Sequence, residues 1–329
     1  MSNLSTRFFG LELKSPVIAA SCSMTGKADQ ILKIARAGAG AIVLKSIFEE
    51  EIYVQLQQEL SEQRGLQADP EYMDYFDYVI REENLNRQME LIKQVSQSIS
   101  VPIVASINCS SASEWTSFAR RLQDAGADAL ELNLFAIPSD IGKKSSEADE
   151  QFYFGTIARV LEQVSIPVSI KIGHYFSNLA GMIYRLSRSG VAGITLFNRF
   201  YAPDIDVAKE QLVSADIFSS DREYLLPLRW TGIMAPKIDC PLAATTGIHS
   251  AETALKFLLA GAGAVQVASV LYRKGPEVVG EINQGITDWM NGKGYKRLDD
   301  FRGKLSILQK HAVAYERSQF INWTGKTDF

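Results

Sequence analysis

The chain has 329 residues, of which 46% are hydrophobic and 22% charged, a composition typical of a soluble globular protein. Its net charge of -4 is spread along the chain without a basic arm, which argues against nucleic acid or an anionic membrane as a partner. No apolar run reaches the roughly 20 residues of a membrane span, and the amino terminus does not resemble a secretory signal. We therefore expect a cytoplasmic protein.

A recurring unit organises the chain: a short apolar run rich in β-branched residues, a polar loop, an amphipathic helix and a small-residue turn. Such nearly continuous apolar runs are typical of parallel strands covered on both faces. The runs span residues 16–20, 41–45, 102–107, 129–134, 167–172, 193–198, 241–245 and 264–268. This repetition predicts an α/β protein, a single (β/α)8 TIM barrel over residues 1–329, with an open doubly wound sheet as the alternative.

Glycine and proline mark the junctions between helices and strands. Glycine turns close four helices just before a strand, in ARAGAGAIVL, QDAGADALEL, SRSGVAGITL and LAGAGAVQVA. A helix that ends in a left-handed conformation favours a residue without Cβ. Three other strands are introduced by Pro102, Pro167 and Pro241.

One connection is much longer than the others. Residues 47–100, between the second and third predicted strands, exceed an ordinary βα loop and are rich in acidic and aromatic residues. We interpret them as a largely helical insertion over the barrel mouth. It either stabilises the fold, makes a dimer contact or forms a lid over a ligand.

Polar residues stand at the carboxyl ends of the predicted strands, where a barrel carries its chemistry. Two lysines and several carboxamides there interrupt apolar runs, and such groups require polar partners if they point into a dry mouth. A ligand would supply these partners. The residues at and just beyond the strand ends are Ala20, Ser21, Lys45, Ser46, Ser106, Asn108, Asn133, Lys171, Asn198, Thr245, Thr246, Gly247, Ala268 and Ser269.

Lys171 is the strongest of these candidates. Isoleucines flank it in VSIKIGHY, so an inward charge there must meet an anion or an electron-rich ring. The others have structural alternatives. Lys45 could be solvated, Asn133 could be satisfied by backbone groups, and Asn108 and Asn198 could be turn residues.

A phosphate site is predicted after the seventh and eighth strands, where barrels commonly hold one. TTGIHSAETALKFLLAG contains a glycine turn and then a helix with Ser250 as its N-cap, so backbone N–H groups and the helix dipole converge. VASVLYRKG starts a second such turn. The predicted phosphate ligands are Thr246, Gly247, Ala268 and Ser269.

The remaining candidates are weaker. His174 and Cys22 could act as an acid or a base, although packing is the more common role for such residues. Cys22, Cys109 and Cys240 are odd in number and unrelated in spacing, which fits reduced thiols. No cluster has the spacing of metal ligands, so we expect no metal site.

These features resemble the class 1 dihydroorotate dehydrogenases and the related pyrimidine-reducing flavoproteins. FFGLELKSPVIAAS is similar to that family's opening hairpin and first strand, GAGAIVLKSI to its second strand, ELNL to its fourth and VSIKI to its fifth, and residues 243–275 resemble its phosphate-binding end. The resemblance covers nearly the whole chain. It implies FMN as the cofactor, dihydroorotate as the substrate and a homodimer.

The resemblance also implies roles for single residues. Lys171 would lie beside the edge of the flavin where reduction places negative charge, and Lys45 and Asn133 would join it in catalysis. Lys45, Asn84, Asn133 and Asn198 would orient the substrate. The implied FMN site comprises Ala20, Ser21, Lys45, Ser46, Asn108, Asn133, Lys171, Asn198, Thr246, Gly247, Ala268 and Ser269.

The chain departs from the family where the catalytic base should lie. The family motif N-L-S-C-P-N carries a Cys or Ser base, whereas this chain has Ala136 there and Pro138 in place of the second asparagine. Arg199 replaces a small hydroxyl residue, and the Asn-Ser-x-Gly lid motif is absent, with Asn84 as a doubtful counterpart. Ser139 could replace the base if the loop bulges.

Three functions are therefore compatible with the sequence. The first is an FMN-dependent oxidoreductase acting on the CH-CH bond of a dihydropyrimidine such as dihydroorotate. The second is an FMN-binding paralogue without the base, inactive on dihydroorotate or acting on another substrate. The third is a phosphosugar isomerase or lyase without flavin that uses Lys171.

Overall fold

The computed structural model describes residues 2–48, 70–108, 112–135, 145–199 and 202–307, together with residue 315. In chain order, its strands are β1 (Thr6–Phe8), β2 (Leu11–Leu13), β3 (Val17–Ala19), β4 (Ala41–Val43), β5 (Ile47–Phe48), β6 (Ile103–Asn108), β7 (Ala129–Leu134), β8 (Val168–Ile172), β9 (Ile194–Leu196), β10 (Pro203–Asp206), β11 (Gln211–Ser214), β12 (Leu242–Thr245) and β13 (Ala264–Val267).

Eight of these strands form a closed parallel barrel. The order around it is β3, β4, β6, β7, β8, β9, β12 and β13, which pairs again with β3. Pairing of β4 with β6 completes the ring, so the open-sheet alternative is excluded. Each of the eight predicted runs contains one barrel strand, and the predicted (β/α)8 fold is confirmed.

Helices connect the strands and cover the outside of the barrel. They are α1 (Ala28–Arg36), α2 (Pro70–Ser96), α3 (Ala112–Asp124), α4 (Ser146–Gln163), α5 (Leu179–Ser187), α6 (Leu225–Met234), α7 (Ala251–Ala260), α8 (Ser269–Lys274) and α9 (Val278–Lys293). The four predicted glycine turns are confirmed, since each contains a glycine with positive φ: Gly38, Gly126, Gly190 and Gly261. Among the described helices, none combines the length and the hydropathy of a membrane-spanning segment.

The barrel strands divide their side chains between two hydrophobic clusters. One set, which includes Leu130, Leu132 and Ile170, packs outward against the helices. The alternate set fills the amino end of the barrel interior and includes Val104 and Ala129. Successive side chains of a strand therefore point alternately to the helices and to the barrel interior. Because both surroundings are apolar, this alternation does not appear as a change of hydrophobicity in the sequence.

The antiparallel hairpin β1–β2 closes the amino end of the barrel. Its Phe8 and Phe9 are fully buried, with ring centroids 4.5 Å apart. A Cβ on Gly193 would lie 2.7 Å from the Phe8 ring, so glycine at that position lets the plug seat against β9. The opening hairpin implied by the resemblance thus seals this end with hydrocarbon.

Helix α2 occupies much of the long connection after the second barrel strand. Its later residues Ile80, Leu85, Ile92 and Val95 are buried in the outer cluster, as expected of a helix that covers a barrel wall. This part of the connection stabilises the fold. Residues 49–69, on which the prediction of a lid depends, lie outside the described residues.

A second hairpin, β10–β11, was not predicted from the sequence. It follows the sixth barrel strand and pairs Pro203 with Ser214 and Asp206 with Gln211. Each of its strands has four residues, and almost all of their side chains are exposed. Strands this short that bury no face lack the apolar pattern by which a strand is recognised in a sequence. The hairpin leaves Ile205 62%, Val207 83% and Leu212 78% exposed.

Candidate active site

A cavity of about 480 Å³ opens at the carboxyl ends of the barrel strands, within the range of roughly 300–1,000 Å³ usual for small-molecule sites. We call it the mouth cavity. The predicted site residues that line it are Ala20, Ser21, Lys171, Asn198, Thr246, Gly247, Ala268 and Ser269. Residues that follow five different strands are thus brought to one place.

Lys171 lines this cavity, and its neighbour Asn133 lies beside it on the next strand but lines neither this cavity nor the second one described below. They are paired in register on β8 and β7, and they are only 8% and 5% exposed. The Lys171 ammonium forms no hydrogen bond or salt bridge with the described residues, and the Asn133 Oδ1 atom has no hydrogen-bond partner among them. Because burying such groups without partners is costly, both indicate that a ligand completes the site.

The turn after β12, where the sequence predicts a phosphate site, has an unusual backbone. Thr246 and Gly247 are both left-handed, with φ of 77° and 71°. A Cβ on Gly247 would lie 2.5 Å from the Tyr224 backbone nitrogen, so the turn requires glycine. Ser250 then caps α7, its Oγ accepting a hydrogen bond from the Thr253 amide at 3.3 Å, as predicted. The arrangement can present backbone donors to an anion.

Residues 216–219 form one wall of the mouth cavity, and Arg199 holds them in place. Its guanidinium donates hydrogen bonds to the carbonyl oxygens of Asp216, Ile217 and Phe218 at 2.9, 2.8 and 3.3 Å. It also forms an ion pair with Glu223 at 2.7 Å. The departure from the family at position 199 therefore has a structural explanation in this chain.

Glu223 is stabilised in its charged form by this contact. Burial alone would raise the pKa of its carboxyl group, but hydrogen bonds from Arg199 and from the Ser220 amide outweigh that effect and lower the pKa below its ordinary value. The pair therefore remains ionised at neutral pH.

Ser219 connects the same wall to the segments that follow β12 and β13, where the sequence predicts a phosphate site. Its amide donates to Ser269 Oγ at 2.9 Å, and its hydroxyl lies 3.0 Å from His249 Nε2. Burial, assisted by the nearby charge of Arg273, lowers the pKa of His249 against the opposing effect of Asp221. His249 is therefore a neutral hydrogen-bonding partner of Ser219.

Lys45, Ser46 and Asn84 lie in a neighbouring cavity of about 470 Å³ beside α2, instead of in the mouth cavity with Lys171. The two cavities adjoin at a serine contact, because Ser46 Oγ lies 3.0 Å from Ser21 Oγ. The structure thus separates part of the predicted substrate site from the part around Lys171.

Two further predicted positions lie near these cavities. Asn108 is the last residue of β6; it is buried but lines neither cavity. The hydroxyl oxygen of Ser106, on the same strand, lies 2.5 Å from the hydroxyl oxygen of Ser46. Ser139, Ala136, Pro138 and Cys109 lie outside the described residues.

His174 and Cys240 show mainly packing roles. The His174 ring stacks on Tyr175 with centroids 4.3 Å apart, and burial lowers its pKa. Cys22 lines the mouth cavity. Burial and the nearby Asp239 raise the pKa of Cys240 to about 12, which makes it a poor nucleophile. In the described part of the chain, no group of three or more His, Cys, Asp or Glu side chains is placed to hold a metal ion.

A polar network that the sequence reading missed forms the floor of the mouth cavity. Glu131 Oε2 accepts hydrogen bonds from Thr195 Oγ1 at 3.0 Å and from Gln266 Nε2 at 2.5 Å. Gln266 lines the cavity itself. The signal was present, because Glu131 stands two residues before Asn133 and residues two apart on a strand share a face.

Comparison with known proteins agrees with this geometry. A sequence profile of the family described as Dihydroorotate dehydrogenase matches residues 3–290. A protein of Aeropyrum pernix assigned to dihydroorotate dehydrogenase A (fumarate) is 29% identical over 65% of this chain and 71% of its own length. The dihydroorotate dehydrogenase B (NAD(+)) catalytic subunits of Methanothermobacter thermautotrophicus and Pyrococcus abyssi are each 26% identical over 91% of this chain and 97% and 98% of their own lengths. The chain belongs to the dihydroorotate dehydrogenase family.

Proposed function

We propose that this protein is an FMN-dependent oxidoreductase of the dihydroorotate dehydrogenase type, which acts on the CH-CH bond of a dihydropyrimidine. The observation that carries the proposal is the largely buried Lys171, which has no anion beside it among the described residues, next to an Asn133 amide oxygen without a hydrogen-bond partner among them. Lys171 lines a mouth cavity that also contains the left-handed turn at Thr246 and Gly247. This combination suits a planar, electron-accepting ring with a phosphate tail.

The residues present fit FMN at both ends of the mouth cavity. The backbone of Thr246 and Gly247, with that of Ala268 and Ser269, would hold the phosphate. Towards the other end, Ala20, Ser21, Lys171 and Asn198 would contact the ring and its attached chain. FMN, when bound, supplies an acceptor for a hydride. Lys171 would place a positive charge near that acceptor in a site of low dielectric.

The neighbouring cavity would receive part of the substrate or its approach path. Lys45 and Asn84 line it, and Lys45 provides a second cation for an anionic substrate such as a carboxylate. Asn133 and Asn198 would orient the reacting ring through their amide groups. Ser139 would be the base, as the hydroxyl residue closest along the chain to Ala136.

A second candidate function follows from Ala136. A methyl side chain cannot accept a proton, so the chain would bind FMN without oxidising dihydroorotate if no other residue replaces the base. In this case the protein is an FMN-binding paralogue with another substrate. Both candidates share the cofactor site and differ in the reaction.

The first experiment is the absorption spectrum of the purified protein before and after reconstitution with FMN. The visible bands of a bound flavin are expected, and a protein that stays colourless would contradict the proposal and favour the phosphosugar alternative. Anaerobic dihydroorotate is then added. Bleaching of the bands supports the dehydrogenase, and no bleaching supports the paralogue.

A matched variant tests the base. Ser139→Ala should bind FMN as the wild type does but slow bleaching by dihydroorotate about 100-fold, because general base catalysis typically contributes 10²–10⁴-fold. Reoxidation of the reduced protein by fumarate or NAD⁺, the acceptors in the names of the relatives, identifies the oxidant. Unchanged bleaching in Ser139→Ala would assign the base to another residue.

We also propose that the protein is a cytoplasmic homodimer that buries the β10–β11 hairpin. The exposed Ile205, Val207 and Leu212 give this hairpin an apolar surface that a second copy can cover. Light scattering should show twice the mass of one chain, and Leu212→Glu should give monomers. A monomeric wild type would contradict the dimer without affecting the proposed reaction.

A further inference from the structure

Glu131 is a fully buried carboxylate in the centre of the barrel, with 0% exposure. Its Oε2 atom accepts hydrogen bonds from Thr195 and Gln266, whereas Oε1 has no hydrogen-bond partner among the described residues. No lysine or arginine of the described residues forms a salt bridge with it. A carboxylate buried in this way is costly, which suggests that its charge serves a purpose that packing does not explain.

The carboxylate lies one side chain below the mouth cavity. Gln266, which donates to Glu131 at 2.5 Å, lines the cavity floor. Thr195, which donates at 3.0 Å, is paired in register with Lys171 on the adjacent strand. A negative charge thus lies beneath the floor of the cavity, and the positive charge of Lys171 lies at its wall.

We propose that Glu131 is a buried counter-charge to Lys171 that lowers the reduction potential of a flavin bound in the mouth cavity. The inference rests on the proposed FMN-dependent function. Reduction places negative charge on the ring, which Lys171 favours and a carboxylate below the floor opposes. Because the interior has a low dielectric, the two fixed charges act strongly and in opposite directions.

Glu131 is in this view a positioning residue and not a catalytic one. It touches no part of the cavity itself and acts through its field and through Gln266. A carboxylate accepts hydrogen bonds only, so it fixes the Gln266 amide with its Nε2 towards Glu131. A purely structural role would be served as well by a neutral residue of the same shape, which gives the proposal its test.

The test is the two-electron midpoint potential of the FMN-reconstituted protein, measured by equilibration with redox dyes. Glu131→Gln keeps the shape and removes the charge. The equilibrium constant for reduction is expected to rise about tenfold, which is about 30 mV more positive for a two-electron couple. Glu131→Asp keeps the charge and should remain near the wild-type potential.

Thr195→Val is the matched control, because it removes one hydrogen bond from the same carboxylate without changing its charge. Its potential should not rise as that of Glu131→Gln does. If Glu131→Gln does not fold, Glu131→Met serves as a second neutral variant, since apolar residues commonly replace buried charges without loss of stability.

An unchanged or more negative potential in the neutral variants would overturn the proposal, as would an equal rise in Thr195→Val. Loss of FMN binding in both neutral variants would also overturn it, because the carboxylate would then be required for the site to form. Failure of the wild type to bind FMN is a different result, which contradicts the proposed function itself.

Discussion

The two ends of the barrel interior are built from the same strands but differ in chemistry. At the amino end, Phe8, Phe9 and Val104 belong to a cluster of buried hydrocarbon side chains. At the carboxyl end, Asn133 and Lys171 are buried with polar atoms that the described protein does not satisfy. Within a few residues along the same strands, a packed hydrophobic core is thus followed by a site whose polar groups require a ligand.

The largest expected effect is on the amino end. Phe8→Ala should lower the free energy of unfolding by about 3–5 kcal/mol, because a fully buried ring is replaced by a cavity. The affinity of the folded protein for FMN should not change. Urea denaturation and flavin titration measure the two quantities, with the exposed Arg7→Ala as the control. Loss of both stability and FMN affinity in Phe8→Ala would show that the two ends are not independent.

Lys171→Met should have the opposite profile. Lys171 forms no salt bridge with the described residues, so its replacement by an apolar side chain should change the free energy of unfolding little, while reduction of the flavin should slow by about 100-fold. Thermal unfolding and anaerobic stopped-flow absorbance give the two measurements. A variant that is reduced at the wild-type rate would remove Lys171 from the proposed mechanism.

Gly247→Ala probes the phosphate turn. The new Cβ would meet the Tyr224 backbone at 2.5 Å in a left-handed residue, so the turn must shift and FMN affinity should fall about tenfold. Gly292→Ala is the control, because its Cβ meets nothing within 4 Å in helix α9 and should be neutral or slightly stabilising. Equal FMN affinity in the two variants would argue against phosphate binding at this turn.

The smallest expected effect concerns the wall held by Arg199. The pKa of Glu223 is lowered in the folded protein, so its ion pair stabilises the fold above the ordinary value of 4.5 and is lost as pH falls through the folded pKa. Glu223→Gln should therefore cost about 1 kcal/mol or less near pH 7. The difference in Tm between wild type and variant should shrink as pH falls below 4.5 and disappear once Glu223 is protonated in the folded protein. A difference that persists in acid would assign the effect to packing.

Much of the fold was predictable because local and global signals agree. Apolar runs, glycine turns and the Ser250 cap each act over a few residues, and all eight barrel strands follow from them. Hairpin β10–β11 was missed because its strands are short and its side chains are exposed.

A site residue could be predicted where its immediate sequence neighbours indicate that it is buried. Lys171, flanked by isoleucines, is the clearest example. The wall at residues 216–219 depends on hydrogen bonds from Arg199 across about twenty positions, and sequence spacing carries no sign of them. The placement of Lys45 beside α2 depends likewise on how a distant helix packs on the barrel.

The Phe8 plug also has a consequence for the kinetics. Because the described residues seal the amino end, a ring bound in the mouth cavity would be approached from the carboxyl end. If the electron donor and the small-molecule acceptor both react there, the first product must depart before the second reactant enters. We therefore expect parallel lines in double-reciprocal plots of initial velocity, and intersecting lines would point to a separate entrance for the acceptor.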